Sequence, residues 1–326
     1  MKTHQVPCRS SMGGRTAQPA LANLAGTQCD EQVFKYLNAA LAENTLLAYR
    51  TDLNHFLRWG GAIPAQPESV ANYIAHYATR LAPSTLSRRL VAIGHAHADR
   101  GLPSPTDSVL VRATLRGVRR TCSRPIRQVA PLQKADLQKM LCGLSGLDGL
   151  RDTALLLLGF AGAFRRSELV SLDVDDVVIY DAGMMVRIKR SKTDQEGQGR
   201  VVAIPRVRGR YCPTRKLEEW LKVSAITYGP IFRRFNRYGQ LQDDRLSAAS
   251  VALIVKQRSE ALGLDTAQFS GHSLRAGFAT NAANKGASVA SIRAQTGHKS
   301  DAMVQRYIRN SQVFTDNPLH KIFVTK

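Results

Sequence analysis

Hydrophobic positions along the chain follow two regimes, and the change comes near residue 132. Over residues 29–120 they recur at helical spacing. In "NTLLAYRTDLNHFLRWGG", Leu46, Tyr49, Leu53, Phe56 and Leu57 form one stripe, with Arg50 and Arg58 off it and Asn44 where an N-cap belongs. "SVANYIAHYATR" reads as a second helix. In "STLSRRLVAIGHAHADRG", Leu86, Leu90 and Ile93 repeat the spacing, and Gly101 supplies the stop. The pattern predicts a small all-helical module with basic residues outside its stripes.

Beyond residue 132, the helix "KADLQKMLCGL" leads into "RDTALLLLGFAGAF", which is apolar on every side and reads as buried. Then "DVVIYDAGMMVRIKRSKTDQEGQGRVVAIP" alternates in short runs. With "DQEGQG" between them, "MMVRIKR" and "RVVAI" read as the strands of a hairpin. "LSAASVALIVKQRSEALG", "GHSLRAGFAT", "SVASIRAQTG" and "SDAMVQRYIRNS" return to helix, with Ser288 and Ser300 as N-caps of the last two. The prediction is a mainly α chain with a small antiparallel β-sheet. A length of 326 residues fits two domains. The longest apolar run, residues 153–164, is short of the ~18 residues a membrane span needs. The first 20 residues carry no signal-peptide core, and residues 1–28 are expected to be a flexible basic tail.

Charge sharpens the picture. Lys and Arg number 46 against 25 Asp and Glu, a formal net charge of +21. That surplus asks for a polyanion, nucleic acid or an anionic membrane. Residues 112–131 concentrate it: Arg112, Arg116, Arg119, Arg120, Arg124 and Arg127 occur with no acid among them. Such a run is either a solvated face or a crossing of a phosphate backbone, and at a domain boundary in so basic a chain the second reading is preferred. Cys8, Cys29, Cys122, Cys142 and Cys212 are odd in number and scattered. They suit reduced thiols in a cytoplasmic protein, and neither a structural metal nor a cofactor is expected.

The chemistry lies in the second half. His272 and Arg275, in "GHSLRAGFAT", share a helical face and together call for an anion. "FRRSELVSL" places Arg165 directly after the buried helix and Glu168 one turn on, as a support. Lys192 stands at the hairpin tip, His298 at a helix boundary in "GHKS", and Tyr307 nine residues later in "VQRYIRN". Two arginines can grip a phosphate. A lysine or histidine can protonate a leaving oxygen. A tyrosine, once activated, can attack phosphorus.

This set, in this order, resembles the tyrosine recombinases, the phage-integrase and Xer/Cre-like family. Their pattern is R-x-S-E-L, a hairpin lysine, H-x-x-R, G-H and a tyrosine nine residues after that histidine. The resemblance covers roughly residues 30–315, and its departures are "GAF" for the common Thr-Gly-Leu, Ala276 after Arg275, and Thr296 for the leucine before "GH". It implies a SAM-like helical core-binding domain at 29–120, a linker at 121–131 and a mixed α/β catalytic domain at 132–326. Duplex DNA would be held between the two domains.

The implied activity is site-specific cutting and rejoining of DNA through a 3′-phosphotyrosine on Tyr307, without metal or ATP. Arg165 and Arg275 would clamp the phosphate, His272 would handle protons and Lys192 would protonate the leaving oxygen. A homotetramer on paired DNA sites is implied too, with Phe314, Leu319, Ile322 and Phe323 of the tail candidates for docking on a neighbour or in cis. At single positions Arg166 rivals Arg165, and Lys189 rivals Lys192. Tyr180, Tyr211, Tyr228 and Tyr238 are further tyrosines, none with the spacing of Tyr307. A type IB topoisomerase, a relative that only binds DNA, and a helix-turn-helix regulator built on "SVASIRAQTGHKSDAMVQRY" are the other readings. The regulator leaves Arg165, Lys192 and the His272–Arg275 pair unexplained.

Overall fold

The computed structural model describes residues 43–122, 129–189, 199–312 and 322, with backbone alone for 308–312. The expectations for residues 1–42, for Arg124, Arg127 and Lys192, and for most of the tail lie outside the described residues. The chain divides into two compact units, residues 1–126 and 127–326.

The first unit holds four α-helices among its described residues: α1 (Glu43–Trp59), α2 (Pro67–Tyr77), α3 (Pro83–Ala98) and α4 (Val109–Thr121). Prolines open α2 and α3, where their missing N–H costs nothing. Gly101, in the left-handed region at φ 67°, closes the chain beyond α3 as expected. Phe56, Val70, Tyr73, Ile74, Leu86, Leu90, Ile93 and Val111 form the core.

Two details of α1 depart from the sequence pattern. Its described part already includes Glu43, so Asn44 lies inside the helix and does not cap it. Leu57 is 40% exposed, whereas Asp52 is buried. The acid is admitted because Arg88 Nε donates to it at 2.6 Å and Arg89 lies at 3.6 Å. The described part of the arginine run belongs to the helical module. Arg112, Arg116, Arg119 and Arg120 ride on α4, exposed on the side away from buried Val111 and Val118.

The second unit is built around α6 (Gly146–Ala161), buried at every position from Arg151 to Gly159 as its all-round hydrophobicity requires. Before it comes α5 (Lys134–Leu141) and after it the short α7 (Arg166–Ser171). A three-stranded antiparallel sheet follows: β1 (Val177–Tyr180), β2 (Gly183–Ile188) and β3 (Arg200–Pro205), in that spatial order. Met184, Val186 and Ile188 alternate inward and face Val202 and Ile204 across the ladder. Helix α8 (Pro213–Ser224) packs on α6, and a separate hairpin joins β4 (Arg233–Phe235) to β5 (Leu241–Arg245). Four helices complete the unit: α9 (Ala248–Glu260), α10 (Gly271–Asn284), α11 (Val289–Thr296) and α12 (Asp301–Gln312). Ser288 caps α11, accepting from Ser291 N, as expected. Ser300 contributes its carbonyl, accepting from Met303 N at 3.2 Å.

One close approach fixes α10. Leu132 N donates to Ser273 O at 3.0 Å, and a Cβ on Gly277 would fall 2.2 Å from Leu132 O. The segment entering α5 therefore lies directly on the helix that carries His272 and Arg275. Among the described residues no helix is long and apolar enough to cross a membrane.

Candidate active site

Four local devices converge on one place. Ser270 caps α10, accepting from His272 N at 3.1 Å, while Ser270 N donates to Ser273 Oγ at 3.0 Å. That reciprocal cap sets the first turn of α10, which carries His272 and Arg275. Glu168, third residue of α7, reaches back to Arg165 and accepts from its backbone N at 2.9 Å and its Nη1 at 2.5 Å. Gly297, left-handed at φ 64°, ends α11 and turns the chain into His298. Helix α12 then brings Tyr307 back, its ring 5.7 Å from the His298 ring between centroids and tilted by 32°.

Arg275 is the centre of the arrangement. It is 2% exposed, and its Nη1 donates to Ala163 O at 2.8 Å and to Thr296 O. Its Nη2 is buried and has no hydrogen-bond partner among the described residues. Ala163 holds its carbonyl in place from a left-handed conformation, φ 48°, that alanine rarely adopts. Burial and the neighbouring Arg165 charge push the Arg275 pKa down to about 10, which leaves the group fully charged at neutral pH.

Arg200, at the start of β3, is a member of this cluster that the sequence pattern did not reveal. Its Nη2 lies 3.3 Å from Glu168 Oε2, its Nη1 donates to Gln295 O at 2.8 Å, and its guanidinium stands 5.9 Å from the Phe164 ring. A Cβ on Gly297 would fall 2.9 Å from its Nε. The signal that could have found it is weak: one arginine opening a strand in a chain full of them. Burial acts to raise the Glu168 carboxyl, but the hydrogen bonds from Arg165 and the charges of Arg165 and Arg200 outweigh it and hold that pKa below the usual carboxylate range. One buried carboxylate thus orients two guanidinium groups.

The histidines are neutral. Burial first, then Arg275, Arg165, Arg200 and His272, push His298 down to about 3. His272 is lowered in the same way by desolvation and by Arg275, Arg166 and Arg165.

The rivals occupy other places. The aliphatic stem of Arg166 lies over Gly271 at the start of α10. Lys189 is paired with Asp176 at 3.0 Å and Asp173 at 3.4 Å. Tyr180, Tyr228 and Tyr238 are exposed by half or more, and Tyr211 donates to Gln138 O. Arg165, Glu168, His272, Arg275, His298 and Tyr307 are therefore brought together, with Lys192 outside the described residues. The four described arginines of the basic run belong to the other unit. Among the described residues no group of acids, histidines or cysteines is placed to hold a metal.

The cluster sets the guanidinium groups of Arg165, Arg200 and Arg275 beside two histidines and a tyrosine, an arrangement suited to an anion. Residues 131–313 match the model of the Phage integrase family, and residues 31–97 match that of the Phage integrase, N-terminal SAM-like domain. The chain belongs to the phage integrase family, the tyrosine recombinases, and is a DNA strand-transferring enzyme. It is 40% identical over 298 residues to an integrase/recombinase xerD homolog of Selenomonas ruminantium, covering 88% of this chain and 87% of the relative. It is 27% identical over 269 residues to the recombinase cre of Escherichia phage P1, covering 76% and 77%. In fold it is similar to a lambda integrase dimer solved bound to a COC′ core site, with a TM-score of 0.59 at 18% identity over 85% of this chain and 93% of that one.

Proposed function

We propose that this chain is a site-specific recombinase that cuts duplex DNA with Tyr307 and rejoins it through a 3′-phosphotyrosine. The observation that carries the reading is Arg275, a buried guanidinium with Nη2 unpartnered among the described residues, beside Arg165, His298 and Tyr307. A buried cation with spare donors is matched by an anion. A phosphodiester accepts paired donors from Arg275 and Arg165 and places its phosphorus within reach of the phenol.

In this reading Tyr307 loses its proton to a neutral histidine and attacks phosphorus. The arginines stabilise the charge on the pentacoordinate phosphoryl group. The 5′-oxygen leaves with a proton from Lys192, a role that rests on the resemblance and on its position in the hairpin. A 5′-hydroxyl from the partner duplex reverses the step. Bond energy stays in the protein–DNA link, so the reaction needs neither ATP nor a metal. Residues 29–120 are the DNA-binding module, with 1–28 as tail and 121–131 as linker, and 132–326 form the catalytic domain. Arg112, Arg116, Arg119, Arg120, Arg124 and Arg127 meet phosphates. The working form is a homotetramer on paired sites in the cytoplasm.

Covalent trapping tests this. Purified protein is incubated with DNA fragments flanking its own gene, in EDTA, and SDS-resistant adducts are sought beside Tyr307→Phe. The expected result is an adduct that wild type forms and the variant does not. Equal adducts from both would move the nucleophile to another tyrosine. Tight, salt-sensitive binding with no adduct on any fragment would favour the relative that only binds DNA.

A further inference from the structure

Asp52 and Arg88 form more than a structural ion pair requires. Asp52, on α1, is buried where α1 packs on α3. Two successive arginines of α3 flank it. Arg89 is buried, 3.6 Å away, and its Nη1 donates to Tyr73 Oη at 3.0 Å. Arg88 has a side chain more than half exposed, yet it is the one that grips the carboxylate. Its Nε donates to Oδ2 at 2.6 Å and its Nη2 to Oδ1 at 3.0 Å. Arg89 alone would balance the charge of Asp52, so the second guanidinium leaves the group with a net positive charge at the surface.

The grip runs along one edge of the guanidinium. Nε and Nη2 form the side of the planar fork, and the hydrogen bonds among the described residues engage no other atom of it. The end of the fork, Nη1 with the second proton of Nη2, is left unused. Two parallel N–H donors on a planar group match the O6 and N7 acceptors that guanine shows in the major groove. We propose that Arg88 is a specificity-determining residue that reads a guanine base through the end of its fork, with Asp52 as the group that aims it. The inference rests on the reading of residues 29–120 as the DNA-binding module, and deepens it by naming the base and the side chain that meets it.

The surroundings place Arg88 on a surface fit for DNA. Arg50, Thr51, Asn54 and Arg58 are exposed along α1, and Ser84 is exposed one turn before Arg88 on α3. Arg119 of α4 reaches the same face, its Nη2 donating to Ser87 Oγ at 2.9 Å, so the face continues into the arginine stripe of α4. The clamp itself argues for a base over a phosphate. An untethered arginine meets a phosphate as well as a fixed one, and phosphate contacts carry no sequence information. Arg88 has spent part of its charge on a carboxylate and lost its rotamer freedom. Such a side chain attracts a polyanion weakly but holds two donors in a fixed plane. That is what telling guanine from adenine demands, because adenine turns a donor, N6, to the position where guanine has the acceptor O6.

Selection of randomised duplexes by the full-length protein, followed by sequencing, tests this without any strand cleavage. Wild type should select a site with a fixed guanine. Arg88→Met, which keeps the aliphatic stem and removes the fork, should relax the choice at that guanine and nowhere else. Asp52→Asn, which keeps the shape and releases the clamp, should relax the same position. Changing that guanine to adenine should weaken wild-type binding roughly 5- to 100-fold, and Arg88→Met should be indifferent to the change within about twofold. Placing 7-deazaguanine there removes N7 while leaving every residue of the protein intact, so this arm does not depend on how the variants fold; wild type should lose part of the same factor. A selected site with no fixed guanine, or one whose guanines Arg88→Met still prefers and 7-deazaguanine does not weaken, would overturn the proposal and leave Arg88 a structural ion pair. A loss in Arg88→Met that is uniform over all sequences, with a salt slope shallower by about 0.9, would overturn it in favour of a phosphate contact. Wild type that binds no duplex even at low salt would overturn the DNA-binding reading itself, and this inference with it.

Discussion

At the scale of single residues, the site separates groups that orient from groups that react. Glu168 is buried and spends its charge on Arg165 and Arg200, so it is a scaffold for cations and no proton donor. Lys189 is likewise engaged, by Asp176 and Asp173, which favours Lys192 as the acid. The two lysines can be told apart by the leaving group. Lys192→Ala should slow cleavage about 10²- to 10³-fold, and replacing the bridging 5′-oxygen by sulfur, which leaves without a proton, should restore most of that rate. Lys189→Ala should change neither value by more than a few fold. The depressed His298 pKa has a second consequence. Its unfolded value is about 6.5 and its folded value about 3, so below pH 6.5 the unfolded chain binds a proton that the folded chain refuses. Stability is therefore lost as pH falls from 6.5 toward 3, at up to about 1.4 kcal/mol per unit. Urea unfolding at pH 7.5 and 5.5 should show a loss of roughly 1 kcal/mol from this group, and His298→Gln should reduce it.

At the scale of elements, what could be read from the sequence was whatever a period or a cap dictates. Helices α2, α3, α6, α9, α10 and α11 and the β2–β3 pair follow directly from apolar spacing and turn residues. That Arg165, Glu168, His272, Arg275, His298 and Tyr307 gather in one place was legible from their order and spacing. Arg200 was not, since it meets Glu168 from 32 residues along the chain. Asp52 in the first core was hidden for the same reason: its partners are 36 and 37 residues away. Close packing is similarly silent in a sequence, and two glycines make the contrast testable. Gly277 lies in α10, where a Cβ would meet the Leu132 backbone at 2.2 Å, and backbone cannot step aside. Gly277→Ala should therefore destabilise by more than the ~1 kcal/mol that alanine gains in a helix, about 2–3 kcal/mol net on the scale of overpacked cores. Gly117 lies in α4 with nothing within 4 Å of its Cβ position. Gly117→Ala should stabilise by about 0.5–1 kcal/mol. Thermal unfolding of the two variants should move in opposite directions.

At the scale of the whole molecule, the cations behind the +21 charge stand in two kinds of surroundings. The cations of the site are held by a carboxylate or by carbonyls, as Arg165, Arg200 and Arg275 show. Those of α4 are exposed, and of the four only Arg119 has a described tether, its Nη2 donating to Ser87 Oγ at 2.9 Å. Arg112, Arg116 and Arg120 follow each other at four-residue steps along one face, opposite the stripe that packs into the core. Removing them should cost the fold little, because surface charges contribute at most about 1 kcal/mol each, and should cost DNA binding a great deal. Each phosphate contact adds about 0.9 to the slope of log K against log salt. The triple variant Arg112→Ala, Arg116→Ala, Arg120→Ala should therefore bind duplex DNA with a slope shallower by about 2.7, whatever the DNA sequence, while its thermal midpoint stays near wild type. The site predicts the opposite signature. Arg275→Ala should leave the salt slope changed by no more than about one contact and should remove the covalent adduct. A triple variant with an unchanged slope would show that α4 is a solvated face after all, and the phosphate contacts would then have to be sought elsewhere on the chain.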